Sequence, residues 1–262
     1  MPRKTFKTVL YEKKARLATI TLNRPEALNA INSKMLGELE LILEDLGTDE
    51  QVSVVVITGS GRAFCAGEDL KESVRLDTKG AQLEALRYTK LAQGFKSLDK
   101  VVVAAVNGYA LAGGCELAML ADLVVASEDA SFGYPEVKIG VLSGMGNFHI
   151  LPLVVGEKKA KELFLLGDMI SAKEAARIGM VNAVVPAKLL NRRVADMVRK
   201  ILRNAPLSVM LSKLATDVGI GSNLGATLSY ETEALAETFQ SDDYAEGLRA
   251  FAEKREPRFK GR

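Results

Sequence analysis

Residues 108–122 read GYALAGGCELAMLAD, and this stretch decides how the fold is interpreted. It is nearly all small and apolar, and Gly113 and Gly114 open what the pattern predicts to be a buried helix. Glu116 lies in the first turn of that helix. Carboxylates are rarely buried without a partner or a function. Either Glu116 suits the positive end of a helix dipole, or it serves a chemical purpose that the rest of the chain must reveal.

The composition is that of an ordinary globular protein, with 262 residues, 48% of them hydrophobic, and a formal net charge of +2. Such a chain can bury a large core without metals or disulfides. The small net charge argues against nucleic acid as a partner, and the apolar runs are too short for a membrane span. Cys65 and Cys115 lie in apolar, glycine-rich settings, which favours free thiols in a reducing compartment. The basic N-terminus lacks the apolar segment of a secretory signal, so we expect a cytoplasmic protein.

Strands and helices alternate before residue 156, as in an α/β fold. The predicted strands are 16–23, 52–59, 101–108 and 122–127, and the predicted helices are 32–47 and 80–97. The chain after residue 156 is mostly helical in pattern, interrupted by VNAVVP (181–186), and Asp243 and Glu246 have capping-box spacing for the final helix. We expect an α/β core over 1–200 and a helical region over 201–262 that serves oligomer contacts.

Two glycine-containing loops each join a buried strand to a helix. The first, ITGSGRAFCAGEDLKE (57–72), has neither the G-x-G-x-x-G spacing nor the G-K-[ST] of phosphate-binding loops. It predicts an exposed backbone turn around Ala66, Gly67 and Glu68 instead, held by Asp69 near a helix start. The second is GYALAGGCE. Two such turns could direct two N–H groups at one point, as in an oxyanion hole; the alternative is two tight connections that need glycine for positive φ.

A third loop, SFGYPEVKIGVLSGMG (131–146), carries Glu136 among apolar and aromatic neighbours. Loop carboxylates are usually solvated. Glu116 and Glu136 would nevertheless suit general acid–base catalysis if the fold brought them together, and burial would raise the pKa of both. The single histidine, His149, has no Ser/Asp partners at local spacing, and no His/Cys/Asp cluster has metal-ligand spacing, so we predict no metal.

Taken in order, these motifs resemble the enoyl-CoA hydratase/isomerase (crotonase) superfamily. The similarity begins at ITLNRPEALNAIN, continues through GRAFCAGEDLKE, VNGYALAGGCELAMLADLVVAS and FGYPEVKIG, and ends at EGLRAFAEKREPRFKGR. It implies the α/β ClpP/crotonase fold, a spiral of ββα repeats followed by C-terminal helices that build homo-trimers or hexamers (dimers of trimers). It also implies an acyl-CoA thioester substrate and no cofactor beyond the coenzyme A of that substrate.

The resemblance assigns roles by position. The backbone N–H groups of Glu68 and Gly113 would form the oxyanion hole for the thioester carbonyl as it becomes enolate-like. Glu116 and Glu136 would be the two catalytic carboxylates of a hydratase, with Glu116 taking a proton from water and Glu136 giving one to C2. The implied substrate and coenzyme A contacts are Ala27, Leu28, Ala66, Asp69, Leu70 and Tyr134, together with Phe251 and Lys254, which would reach coenzyme A from a neighbouring subunit.

The chain also departs from the family's usual pattern around the implied acyl end of the site. Glu68 stands where a small residue is frequent, Ser143 takes the place of a common proline, and residues 147–149 (NFH) replace a polar run. The main interpretation is a 2-enoyl-CoA hydratase, and the alternative within the family is an isomerase, hydrolase or lyase acting on a bulky or cyclic acyl-CoA. From other classes, the alternatives are a non-catalytic acyl-CoA-binding protein and a nucleotide-binding α/β protein.

Overall fold

The computed structural model describes residues 6–262, and within this range the protein has ten strands and eleven α-helices. The strands are β1 (Val9–Lys14), β2 (Leu17–Leu22), β3 (Val54–Gly59), β4 (Ala63–Cys65), β5 (Val101–Val106), β6 (Tyr109–Leu111), β7 (Leu123–Ser127), β8 (Ser131–Gly133), β9 (Met169–Ser171) and β10 (Ala183–Val185). The α-helices are α1 (Ser33–Thr48), α2 (Leu70–Ser73), α3 (Thr78–Lys96), α4 (Gly113–Met119), α5 (Asn147–Val155), α6 (Glu157–Leu166), α7 (Ala172–Arg177), α8 (Leu190–Arg203), α9 (Pro206–Gly221), α10 (Leu224–Phe239) and α11 (Asp242–Glu253). Short 3-10 helices lie at Pro25–Ala27, Pro135–Ile139 and Ala187–Leu189.

The described strands form two sheets. The larger has the order β1-β2-β3-β5-β7-β10, with β1 antiparallel to β2 and parallel pairing of β2 with β3, β5 with β7 and β7 with β10. The smaller has the order β4-β6-β8-β9, in which β4, β6 and β8 are parallel and β9 runs antiparallel to β8. Along the chain, a strand of the larger sheet precedes a strand of the smaller sheet and then a helix, as in β3-β4-α2 and β5-β6-α4. This is the ββα repeat that the resemblance implied.

Two kinds of apolar pattern build the core. Every residue of β5 is buried, because a parallel strand inside a sheet is covered on both faces. The helix α1 instead buries one stripe, at the spacing expected of an amphipathic helix: Met35, Leu36, Leu39, Ile42, Leu43 and Leu46. Burying a leucine such as Leu39 completely is worth about 2 kcal/mol relative to leaving it in water.

The chain divides into two compact units. The first comprises the chain to Leu98 together with Val102–Val194, and the second comprises Asp99–Val101 together with Ala195–Arg262. Within the second unit α10 packs against both α9 and α11. None of the described helices is both long and apolar enough to cross a membrane.

The predicted strands and helices before residue 156 are all confirmed, with bounds that differ by a few residues, and the predicted interruption at 181–186 contains β10. The capping box at the last helix is wrong. The N-cap of α11 is Ser241, whose hydroxyl oxygen accepts a hydrogen bond from Tyr244 N. Asp243 is not free to cap the helix, because its carboxylate accepts from the backbone N–H groups of Lys260 and Gly261.

Candidate active site

Three loops of the first unit follow three neighbouring parallel strands of the smaller sheet. Because β4, β6 and β8 are parallel, their carboxyl ends meet at one edge of that sheet. β4 leads to Glu68, β6 leads to Gly113 at the start of α4, and β8 leads to the 3-10 helix that carries Glu136. Ligands of open α/β sheets bind outside the carboxyl ends of the strands. The topology therefore collects the three loops that the sequence singled out.

The backbone N–H groups of Glu68 and Gly113 lie close together at this edge. A Cβ atom built on Gly113 would be 3.9 Å from Glu68 N, and one built on Gly67 would be 3.2 Å from Gly113 N. Among the hydrogen bonds of the described residues, neither of these two N–H groups is a donor. Two adjacent unpaired backbone donors are what an oxyanion hole requires.

Ala112, directly before Gly113, has a strained backbone. Its φ of 49° and ψ of −129° fall in a region that residues with a Cβ rarely adopt. The surrounding structure holds it there, since Ala112 N donates to Gly133 O and Ala112 O accepts from Glu116 N. The chain therefore tolerates strain at the residue that leads into one of the two unpaired donors.

Glu116 is buried in the first turn of α4, with 3% of its surface exposed. Its two carboxylate oxygens accept hydrogen bonds from the next loop of the site: Oε1 from Met145 N at 2.8 Å and Oε2 from Gly144 N at 3.2 Å. Both oxygens are thus fixed by backbone atoms, which orient the carboxylate without neutralising it.

Glu136 is also buried, with 7% of its surface exposed. Its Oε1 accepts a hydrogen bond of 2.8 Å from the Ser143 hydroxyl. Among the side chains that the structure describes, its Oε2 is a fully buried oxygen with no hydrogen-bond partner. A buried carboxylate oxygen without a partner is costly unless something else engages it.

Burial changes the proton affinity of both carboxylates. Burial raises the pKa of Glu116 to about 7; the N–H groups of Met145 and Gly144 oppose that rise, and the nearby Glu136 adds to it. Burial also raises the pKa of Glu136; its own backbone N–H and then the hydroxyl of Ser143 oppose that rise. Carboxyl groups with pKa values moved toward neutrality can exchange protons readily at neutral pH.

The side chain of Glu68 is held by the end of α2. The hydroxyl of Ser73, at the end of α2, donates a hydrogen bond to Glu68 Oε1. The charge of Glu68 also raises the pKa of two residues of α3, Tyr88 and Glu84, for both of which burial is the larger cause. The unusual acid at this position is therefore accommodated on the side of α2 and α3, and the backbone donor is left free.

The residues that the resemblance implied for coenzyme A form one surface of the first unit. Ala66 N donates to Leu28 O at 3.0 Å, which joins the loop after β4 to the 3-10 helix that ends at Ala27. Asp69 is the N-cap of α2, and Leu70, the first residue of that helix, is half exposed. The structure thus brings these five residues together.

The other three implied contacts are placed differently. Tyr134 is 1% exposed, and its hydroxyl donates to Asn147 Oδ1 at 2.8 Å. Phe251 and Lys254 belong to α11 and its C-cap in the second unit, where Phe251 is 86% exposed. Their contact with substrate stays a prediction.

Sequence reasoning missed the residues that hold the two carboxylates. Ser143, Gly144 and Met145 supply the donors, and Asn147 links Tyr134 to Glu116 O by a 3.4 Å hydrogen bond from its Nδ2. A buried carboxylate needs donors, and the glycine-rich loop that follows Glu136 was a reasonable place to look for them.

Comparison with known proteins identifies the family of this chain. The sequence profile of the enoyl-CoA hydratase/isomerase family matches residues 12–262. The chain is 40% identical over 249 residues to the short-chain-enoyl-CoA hydratase of Clostridium acetobutylicum, covering 94% of this chain and 95% of the relative. It is 38% identical over 255 residues to the crotonyl-CoA hydratase of Syntrophomonas wolfei, covering 97% and 98% of the two chains.

A crystal structure of an enoyl-CoA hydratase from Bacillus anthracis is also similar to this chain. It superimposes with a TM-score of 0.95 at 35% sequence identity, and the match covers 98% of this chain and 100% of the other. The family profile, the sequence identity and the fold similarity show that the chain belongs to the enoyl-CoA hydratase/isomerase family.

Proposed function

We propose that the protein is a 2-enoyl-CoA hydratase, an enzyme that adds water across the 2,3 double bond to give a 3-hydroxyacyl-CoA. The observation that carries this proposal is the pair of buried carboxylates, Glu116 and Glu136, beside the unpaired N–H groups of Glu68 and Gly113. The names of the similar proteins from Clostridium acetobutylicum and Syntrophomonas wolfei support the same reaction.

In the proposed mechanism the thioester carbonyl accepts hydrogen bonds from Glu68 N–H and Gly113 N–H. These donors stabilise the negative charge that develops on the carbonyl oxygen when water attacks C3. Glu116, fixed by two backbone N–H groups, takes a proton from the attacking water, and Glu136 gives a proton to C2. The reaction needs neither a metal nor a cofactor beyond the coenzyme A of the substrate.

We also propose which residues bind coenzyme A and that the protein assembles as a homo-oligomer. The surface formed by Ala27, Leu28, Ala66, Asp69 and Leu70 would bind the coenzyme A portion. Phe251 and Lys254 would reach it from a neighbouring subunit of a homo-trimer or a hexamer, and an exposed phenylalanine is suited to such a contact. The enzyme would act in the cytoplasm on free acyl-CoA thioesters.

The first experiment follows the loss of the conjugated-thioester absorbance of crotonyl-CoA. We expect hydration by the wild type and a decrease in kcat of about 10³-fold in Glu116→Gln and in Glu136→Gln, since each removes one proton-transfer group. If the wild type bound acyl-CoA thioesters without hydrating them, the proposal would be wrong. Isomerase and hydrolase assays on cyclic acyl-CoA substrates would then be the next step.

A further inference from the structure

Three consecutive residues hold both carboxylates of the site. Ser143 Oγ donates to Glu136 Oε1 at 2.8 Å, Gly144 N donates to Glu116 Oε2 at 3.2 Å, and Met145 N donates to Glu116 Oε1 at 2.8 Å. Two of these donors are backbone groups, which any residue supplies. The third is a side-chain hydroxyl, which depends on the identity of residue 143.

The two carboxylates are held unequally. Both oxygens of Glu116 accept a hydrogen bond, whereas Glu136 has one engaged oxygen, Oε1. Among the described side chains, Glu136 Oε2 is fully buried and has no partner. Because a hydrogen bond to a charged group is directional and strong, the hydroxyl of Ser143 determines which oxygen of Glu136 is left unpaired.

We propose that Ser143 is a positioning residue for hydration: it fixes Oε1 of Glu136 so that Oε2 is the oxygen that exchanges a proton with the substrate. This inference rests on the proposed hydratase function. It assigns a specific task to a residue at which the chain departs from the usual family sequence, and that task acts through Glu136, not by contact with substrate.

Each proton that moves during the addition of water has a donor and an acceptor. The oxygen of water bonds to C3, and the π electrons of the double bond move toward C2 and the thioester carbonyl. Glu136 Oε2–H then gives its proton to C2, while Glu116 receives the proton that the water loses. One proton has passed from Glu136 to Glu116, and it returns through solvent after the product leaves.

The charge of Glu136 contributes to the raised pKa of three groups: Glu116, Cys115 and Tyr134. Glu116 titrates near neutrality, with a pKa of about 7 because of burial. Burial raises the pKa of Cys115 to about 12 and that of Tyr134 well above its usual value, so both stay neutral over the working range. Of these three groups, Glu116 is therefore the one that changes charge over the pH range in which the effect of removing the Ser143 hydroxyl on Glu136 is measured.

Apart from Glu136 itself and the exposed Lys158, the charged groups on the 3-10 helix and on α6 form ion pairs. Lys138, on the 3-10 helix of Glu136, forms an ion pair with Asp168. The helix α6 packs against that 3-10 helix, and its charged residues are an exposed lysine and two ion pairs: Lys158, Lys159–Glu162 and Lys161–Glu157.

The kinetic test compares Ser143→Ala and Ser143→Thr with the wild type on crotonyl-CoA. We expect Ser143→Ala to lower kcat about tenfold with little change in KM, which corresponds to the loss of one hydrogen bond to a charged group. The alkaline limb of its pH–kcat profile should move to higher pH, since Glu136 must be protonated to act and loses a group that stabilised its anion. Ser143→Thr retains the hydroxyl and should restore both properties.

The matched control is Ser97→Ala, which removes the hydroxyl of an exposed serine that bonds only to Gly94 O. It should behave as the wild type. Ser143→Ala with an unchanged kcat and pH profile would overturn the proposal. So would a loss of activity accompanied by a lower melting temperature and an unchanged pH profile, because that pattern is the result of a structural role alone.

A second measurement does not depend on turnover. Infrared titration follows the carbonyl stretch of the protonated carboxyl group of Glu136, identified by its absence in Glu136→Gln. The midpoint should move to higher pH in Ser143→Ala and not in Ser97→Ala, and an unmoved midpoint would overturn the inference. If the wild type failed to hydrate crotonyl-CoA while the midpoint moved as expected, the proposed function would fail and the hold of Ser143 on Glu136 would stand.

Discussion

At the scale of single residues, Glu116 shows how burial prepares a carboxylate for proton transfer. Its neighbours in α4 are small and apolar, and 3% of its surface is exposed. Two backbone N–H groups hold the charged form in place, yet burial dominates and raises its pKa to about 7. A carboxyl group with a pKa near the working pH is present in both protonation states, which suits general acid–base catalysis.

The pKa of Glu116 predicts the pH dependence of the rate. As the proposed base, Glu116 must be deprotonated in the free enzyme, so kcat/KM for crotonyl-CoA should fall as pH decreases through about 7. The profile should be measured in buffers of constant ionic strength with thermal stability checked at each pH. A rate that stays constant down to pH 5 would contradict the assignment of the base.

The same pKa predicts an opposite trend in stability. The pKa of Glu116 is higher in the folded chain than the ordinary 4.5. Its favourable contribution to the free energy of unfolding is therefore complete below about pH 4.5 and is lost as pH rises through about 7. Glu116→Gln has no charge to bury. In urea unfolding, the free energy of unfolding of the variant, relative to that of the wild type, should therefore increase by up to about 3 kcal/mol between pH 5 and pH 9.

The control for this stability measurement is Glu237→Gln, at an exposed position on α10. Its difference from the wild type should stay constant over the same pH range. An equally constant difference for Glu116→Gln would show that Glu116 is solvated in the folded protein.

At the scale of elements, the sequence predicted four of the longer strands and both long helices before residue 156, and it missed the edge strand β1 and the three-residue strands. β3 and β5 are continuous apolar runs, and α1 has clear 3.6-residue spacing, so each was visible in isolation. The strands β4, β6, β8 and β9 have three residues each, too few to show a periodicity. Yet these strands place the site loops side by side.

The site was predictable to the same extent. The burial of Glu116 followed from its apolar surroundings in the sequence, and the turn at Glu68 followed from its glycine, whereas the burial of Glu136 was left open because loop carboxylates are usually solvated. The contacts of the Ser143 to Met145 segment did not, because Met145 is 29 positions from Glu116 along the chain. Contacts at such separations depend on the tertiary fold, which local pattern does not specify.

The close packing of α4 against β4 predicts a sharp contrast between two glycines. A Cβ on Gly114 would lie 2.0 Å from Cys65 O and 2.6 Å from Cys65 C, which are backbone atoms with no room to move. We expect Gly114→Ala to cost about 3 kcal/mol or more of folding free energy. A Cβ on Gly47, in the last turn of α1, would have no atom within 4 Å. We expect Gly47→Ala to increase the free energy of unfolding by as much as about 1 kcal/mol.

Thermal denaturation of both variants tests this contrast. The melting temperature should fall strongly in Gly114→Ala and stay equal or rise in Gly47→Ala. A Gly114→Ala variant as stable as the wild type would mean that α4 lies farther from β4 than the structure places it. The position of Glu116, which lies on α4, would then be wrong as well.

At the scale of the whole molecule, the end of the chain is fixed within the second unit. Asp243, with 2% of its surface exposed, accepts hydrogen bonds from Lys260 N at 2.6 Å and Gly261 N at 2.8 Å. Glu246 accepts from the guanidinium of Arg255 and from Arg258 N. Two acids on one helix thereby hold the segment that follows it.

Removal of one of these acids should release the tail. In Asp243→Ala the N–H groups of Lys260 and Gly261 lose their acceptor. We expect the free energy of unfolding to fall by about 1–3 kcal/mol, and amide hydrogen exchange to be faster at both positions. Asp242→Ala is the matched control, since that neighbouring carboxylate is exposed and forms a surface ion pair with Arg262. Equal exchange rates in the two variants would contradict the role given to Asp243.

The segment from Ser143 to Met145 also has a consequence for how such an enzyme can diversify. The sequence resemblance places it at the acyl end of the site, and its hydrogen bonds orient both carboxylates. A substitution of Ser143 selected for a new acyl group would alter the acid strength of Glu136 in the same mutational step, because residue 143 supplies a side-chain donor and not a backbone one. Substrate preference and working pH would then be inherited together, and compensating mutations should be sought beside Glu136.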